Sequence, residues 1–223
     1  MLRASVLVLA FAATLGAQPQ RFAHGRLFPP QNLNILESPD RAEWQQPDRV
    51  MDALSIADGA KVADIGAGGG WFTVRLARRV GPNGLVYAED IQRQMVEAID
   101  RRVRDERLTN VRTVLGMTDD PKLPPRLDVV LIVDTYPQLD HPVELLKNVA
   151  ASLAPGGRIG IVDFKNDGAG GPGPPLDERL DAREVKRDAV EAGLELRSEE
   201  TFLRYQYFLI FGKRMDEATR AGR

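Results

Sequence analysis

Cysteine is absent from all 223 residues. That absence excludes disulfides, thiolate zinc sites and a cysteine nucleophile within the chain. Histidine is scarce too, with only His24 and His141. Basic excess is missing: the net charge is −2 and the isoelectric point is about 5.8. No broad phosphate-binding surface is therefore expected, and no aromatic–basic pattern recommends RNA. Long apolar runs are missing as well. The stretch 4–15, ASVLVLAFAATL, falls short of the roughly 20 residues that a membrane span needs. No cysteine follows it, so a lipid-anchored lipoprotein is excluded.

That same stretch has another use. A positive MLR start, the apolar run and the cleavage site offered by Leu15-Gly16-Ala17 before Gln18 have the order of a secretory signal peptide. The expectation is a cleaved signal over 1–17 and an exported, periplasmic or secreted protein. An uncleaved anchor or a misassigned start, with cytoplasmic protein, is the alternative. Residues 18–38, rich in Gln, Pro, Asn and Arg, read as irregular, within an N-terminal arm placed at 18–45.

The remaining composition, 43% hydrophobic and 28% charged, suits one folded domain with extensions. Past Pro47 a helix carries Val50, Met51, Leu54 and Ile56 towards a core, and Asp58-Gly59 turns into the first strand. Strands are expected at 61–65, 85–89, 111–115, 128–133 and 158–164. Helices are expected at 71–80, 92–104, 142–153 and 177–192. The 128–133 run is apolar throughout, as in a strand buried on both faces. Strands alternating with helices imply a parallel, doubly wound, Rossmann-like α/β sheet. The segments 194–199 and 202–211 leave no room for a helix between them. They are expected to pair as an antiparallel hairpin at the sheet edge, completing seven mostly parallel strands. The domain is placed at 46–212, with a flexible tail at 213–223 and a glycine–proline loop at 166–175.

Function concentrates in VADIGAGGGWFTVRLARRV, residues 62–80. A strand ends at Asp64, a turn follows at Gly66, Gly68, Gly69 and Gly70, and a helix begins. Glycines permit positive φ and close approach of a ligand to the backbone, and the helix start offers free N–H groups. A dinucleotide turn needs G-x-G-x-x-G. Here the third glycine is replaced by Trp71, whose indole would disturb the close helix–strand contact. The acid ending the strand suits an ammonium rather than a pyrophosphate, which points to S-adenosylmethionine (SAM). Asp90, 20 residues beyond Gly70, can accept both hydroxyls of an adenosine ribose. Glu89 and Asp90 as simple helix caps are the bland alternative.

These motifs, with VYAEDI, LDVVLIVDTY and LAPGGRIGIVDF, resemble those of class I SAM-dependent methyltransferases over residues 60–165. RYQYFLIFGKR resembles that family's reversed final strand. The overall look is that of the small-molecule, quinone-biosynthesis-like branch. The resemblance implies that Asp64, Gly66, Ala67, Gly68 and Gly70 hold the methionine end of SAM. It implies that Asp90 binds the ribose and Ile91 the adenine. The family's usual acid after the third strand is Met117 here, leaving Thr118 or Asp119 to take its place.

The resemblance also directs Asp134 and Tyr136 at the transferred methyl as the candidate catalytic pair. His141, before Pro142, fits capping or packing better than catalysis, and Asp163 fits a loop or helix cap. Arg41, Trp44 and Pro47 stand where related enzymes build a lid. Trp44 either stacks on a flat substrate or staples the N-terminal helix. No metal site and no obvious general base is expected. The expected activity is methyl transfer to a small-molecule or lipid-like acceptor, without nucleic acid. The alternatives are a SAM-binding protein of this fold without transfer activity and, further off, an NAD(P)-dependent oxidoreductase. An exported protein would also meet a supply problem, because SAM is made in the cytoplasm.

Overall fold

The computed structural model describes residues 27–168 and 170–214. The signal peptide, His24 and most of the tail expected from the sequence lie outside the described residues.

Among the described residues seven strands form one sheet: β1 (Lys61–Ile65), β2 (Leu85–Asp90), β3 (Val111–Leu115), β4 (Leu127–Val133), β5 (Leu153–Phe164), β6 (Leu194–Glu200) and β7 (Gln206–Lys213). Their spatial order is β3-β2-β1-β4-β5-β7-β6. The first five run parallel, and β7 is antiparallel to both β5 and β6. Order reverses between β1 and β4, which is where such sheets open a crevice beyond the strand ends.

Strand alternation sends side chains to two cores. Val62, Val86, Val129 and Leu131 pack under α2 (Pro47–Ala53), α3 (Trp71–Val80) and α4 (Arg93–Asp105). Ala63, Ile65, Val130 and Ile132 pack under α5 (Pro142–Ser152) and α6 (Ala182–Glu191). Leu127 to Val133 is buried at every position but Asp128, as its unbroken apolar run requires.

Four expectations shift. The arm is not irregular throughout: it contains a 3-10 helix at Pro30–Glu37 and α1 (Arg41–Gln45). Five residues have too little periodicity to announce a helix, and α1 is fixed by the long-range hydrogen bonds of Arg41 and Gln45. The helix expected from 177 starts at Ala182, where Asp181 accepts from the Arg183 N–H as its cap, after a separate 3-10 turn at Leu176–Glu178. β5 begins at Leu153, because Pro155-Gly156-Gly157 bulges out between two pairings with β4, Leu127↔Leu153 and Val129↔Arg158. In the closing hairpin β7 starts at Gln206 and inserts beside β5, so β6 alone forms that edge.

Candidate functional site

The register aligns Ile65 of β1 with Glu89 of β2 and Ile132 of β4, so three strand ends open together. Beyond β1 the chain turns through Gly66, Gly68 and Gly70, all at positive φ (+65°, +55° and +81°). The tightest of these is Gly66, where a Cβ would lie 2.5 Å from Thr135 Oγ1. The turn is tied to β2. The Ala67 N–H donates to the Glu89 carbonyl at 2.9 Å, and the Gly68 N–H donates to Asp90 Oδ2 at 3.1 Å.

A cavity opens above this turn and encloses about 1060 Å³ of empty space continuous with solvent. Asp64, Gly66, Ala67, Gly68, Asp90, Ile91, Thr118 and Asp134 all line it. Eight of the ten residues singled out from the sequence are thus brought together. Gly70 does not line the cavity. It faces Ile99 and Arg102 of α4 and makes the turn that starts α3. Tyr136 corrects the expectation that it faces a transferred methyl. The 3-10 turn Tyr136–Gln138 rotates its ring into the core under α5 and α6, 1% exposed, with its hydroxyl 3.3 Å from Asp188.

Asp163 is buried below the site and accepts from the N–H groups of Tyr136 and Phe164. His141 precedes α5 and makes no side-chain cap. Trp44 is half-buried and packs on Phe164, ring centroids 5.7 Å apart, as a staple rather than a cavity wall.

The cavity's charges are lopsided. Arg41 is the single cation among its described lining residues, against Glu37, Asp64, Glu89, Asp90, Asp134 and Asp140. The Arg41 guanidinium lies 4.4 Å from the centre of the Trp71 ring, and Arg75 lies 3.5 Å from it. Arg41 also donates to the Leu36 carbonyl, to Gln45 and, at 3.1 Å, to Asp134 Oδ2. Asp134 accepts further from Gln45 and Gln206. Three donors meet its two oxygens, so Asp134 is held in place and in turn orients Arg41.

Burial dominates the acids. It lifts Asp64 to about 6, although the Thr73 hydroxyl donates to it at 2.7 Å and Arg41 stands nearby. Burial also raises Asp90, opposed by the N–H groups of Gln92 and Gly68. A cationic group entering the cavity would stabilise the Asp64 carboxylate and bring its value down again.

The chain before α1 crosses the mouth. Arg102 of α4 pairs with Glu37 and donates to the Gly69 carbonyl. Phe28 is held at both backbone groups, by the side chains of Gln92 and Gln138. Sequence reading placed Arg41 in a lid but missed Glu37, Gln45, Gln92 and Gln206. The only local signal was the four-residue spacing of Arg41 and Gln45.

Comparison with known proteins gives a consistent picture. Residues 62–157 match the family model described as "Methyltransferase domain". The chain is 33% identical to a ubiquinone/menaquinone biosynthesis C-methyltransferase of Ectopseudomonas mendocina, over 56% of this chain and 48% of that protein. It spans about half the length of the curated relatives it matches. A SAM-dependent methyltransferase from Aquifex aeolicus superimposes with a TM-score of 0.78 at 26% identity, covering 82% of this chain and 98% of that one. The [4+2]-cyclase SpnF superimposes with a TM-score of 0.65 at 16% identity, covering 79% and 82%. That last likeness is one of fold alone, and the cyclase's name shows that this fold hosts other chemistry.

Proposed function

Because this chain belongs to the class I SAM-dependent methyltransferases, we propose that it transfers a methyl group from SAM to a small, largely apolar acceptor. The observation that carries the reading is the charge plan of the cavity: one buried cation among acids, beside a glycine turn. SAM is an amino acid joined to a neutral nucleoside through a sulfonium. Its carboxylate suits Arg41, its ammonium suits the acidic end of β1 at Asp64, and its ribose hydroxyls suit Asp90. Ile91, Met117 and Thr118 are left for the adenine. NAD(P) would bring a pyrophosphate to the same turn, where acids outnumber the single arginine, and Trp71 fills the position of the third glycine.

When bound, SAM supplies an electrophilic methyl group. The residues of this chain bind, orient and exclude water. The lid contacts of Glu37 and Phe28 close the mouth, and Phe28, Leu36, Trp71, Phe72, Leu139 and Leu145 give the cavity apolar walls. Among the described residues no histidine lines it, and three donors hold Asp134 in place. Rate enhancement then rests on holding two reactants in line, a contribution that reaches about 7–11 kcal/mol in well-oriented systems. Acceptors already nucleophilic at neutral pH fit this arrangement. The relatives named for quinone biosynthesis support a flat, lipid-like acceptor.

Calorimetric titration tests the reading. The protein is expected to bind SAM with micromolar affinity and NADH not at all. Tight NADH binding, or well-folded protein that ignores SAM, overturns it. Turnover against a panel of phenolic and quinol-like acceptors then separates an enzyme from a SAM-binding protein without transfer activity.

Export is part of the proposal and rests on residues 1–17 alone. Among the described residues no helix is long and apolar enough to cross a membrane. Protein made in its own host is expected to begin at or near Gln18 by N-terminal sequencing. Soluble cytoplasmic protein retaining Met1 would refute export.

A further inference from the structure

One buried carboxyl in the cavity is left unused by this scheme. Glu89, the penultimate residue of β2, is 2% exposed, and its Oε1 is buried without a hydrogen-bond partner. Its other oxygen accepts only a long bond from the Gly66 N–H, 3.4 Å. Buried carboxyl oxygens are ordinarily satisfied, and an orphan costs about 1–3 kcal/mol. The neighbouring chain makes room for this one: a Cβ on Gly116, just past β3, would collide with Glu89 Oε1. Glu89 lines the same cavity as Asp90, Ile91 and Thr118, the end assigned to the nucleoside.

We propose that Glu89 is a nucleoside-binding residue, whose carboxyl donates a hydrogen bond to the ribose–adenine part of the cofactor. The assignment rests on the SAM reading above and adds a contact to it. The acids facing Glu89 favour the neutral, donating form. Asp90 adjoins it, Asp64 faces it from the end of β1, and Asp120 faces it from the loop after β3. Burial is the largest influence, and together with these acids it lifts Glu89 to about 8. Near pH 7 the group is an O–H donor, and an acceptor atom of the nucleoside is its natural partner. Above pH 8 it becomes a carboxylate with nothing to donate.

The probe is 5′-methylthioadenosine, which lacks the amino-acid part and so carries no titrating ammonium. Its affinity for the wild-type protein is expected to fall about tenfold between pH 7 and 9, following the neutral fraction of a group near 8. Glu89→Gln still donates and is expected to bind within about threefold of wild type at pH 7, with no fall at high pH. Glu89→Leu is expected to lose roughly tenfold at pH 7. It is also expected to melt above wild type at pH 9, because a buried charge has been removed.

The stability sign follows from the raised value. Wild-type stability from this group is full below its unfolded value, about 4.3, and declines as pH rises to about 8. Wild-type affinity that is flat or rises with pH overturns the assignment, as does Glu89→Leu binding like wild type. Wild-type protein that binds SAM normally while the pH trace stays flat removes Glu89 alone. Wild-type protein that binds no adenosine compound removes the cofactor reading and Glu89 with it.

Discussion

Valine in place of Gly66 is expected to abolish SAM binding and lower the melting temperature by roughly 10 °C. Two costs combine. The residue sits at φ +65°, a conformation that costs an L-residue about 1–2 kcal/mol and suits a β-branched one worst. A Cβ there also meets the Thr135 side chain, with Oγ1 at 2.5 Å, and forced overpacking typically costs about 1–3 kcal/mol. A total near 3–4 kcal/mol corresponds to roughly 10 °C in a domain of this size.

Thr135 cannot retreat freely, because its hydroxyl donates to the Val133 carbonyl at 2.9 Å and it follows the clamped Asp134. Gly156→Ala isolates the backbone cost. Gly156 has φ +79°, and a Cβ added there would meet nothing within 4 Å, so about 1 kcal/mol and unchanged SAM binding are expected. Calorimetric melting and titration of both variants decide the matter. A Gly66→Val protein that melts like Gly156→Ala would remove the close approach of β1 and β4 as the reason for glycine.

Replacing Arg41 by methionine is expected to weaken S-adenosylhomocysteine binding by about a hundredfold. Binding of 5′-methylthioadenosine should change by no more than about threefold. The contrast follows from the ligands: the first has a carboxylate and the second has none. Charged hydrogen bonds contribute about 1.5–3 kcal/mol, which spans that factor. Lysine is not expected to rescue, because it lacks the planar fork that serves Asp134, Gln45 and the Leu36 carbonyl together. Equal losses for both ligands would mean that Arg41 supports the fold and does not read the carboxylate.

Stability moves too. Asp134 loses the cation that opposes its burial, and removing one partner of a buried pair costs about 3 kcal/mol or more. Its carboxyl, already raised, rises further. A raised folded value means that stability is present at low pH and is lost as pH climbs. The variant should therefore melt closer to wild type at pH 5 than at pH 8.

The order of strands and helices was legible because its signals are local. Lys61–Ile65, Trp71–Val80 and Val111–Leu115 each carry their own period, bounded by Gly, Pro or Asn. The hairpin was legible from lack of space, since the few residues between its strands exclude a crossover helix. The bounds that moved are those set by neighbours. β5 grew backwards because Leu153 found Leu127 across a bulge. α1 exists because its polar residues are tethered from afar. Of the proposed site, the residues on strand ends and in the glycine turn could be read from spacing, while Tyr136 could not. A single 3-10 turn decides whether residue 135 or 136 faces the cavity, and Y-P-Q does not announce that turn's direction.

By itself the sequence determined the doubly wound sheet, the glycine turn after β1 and the acids at the ends of β1 and β2. Alternation, positive φ and strand-end position are properties of short stretches, so short stretches encode them. Only the tertiary structure decided which polar groups are satisfied. Arg41 meets Asp134 across 93 residues, Gln45 meets Gln206 across 161, and Glu89 is left with a buried oxygen that nothing among the described residues reaches. Hydrogen bonding inside a protein is a matter of which atoms are brought within about 3 Å, and no local pattern carries that information over such separations.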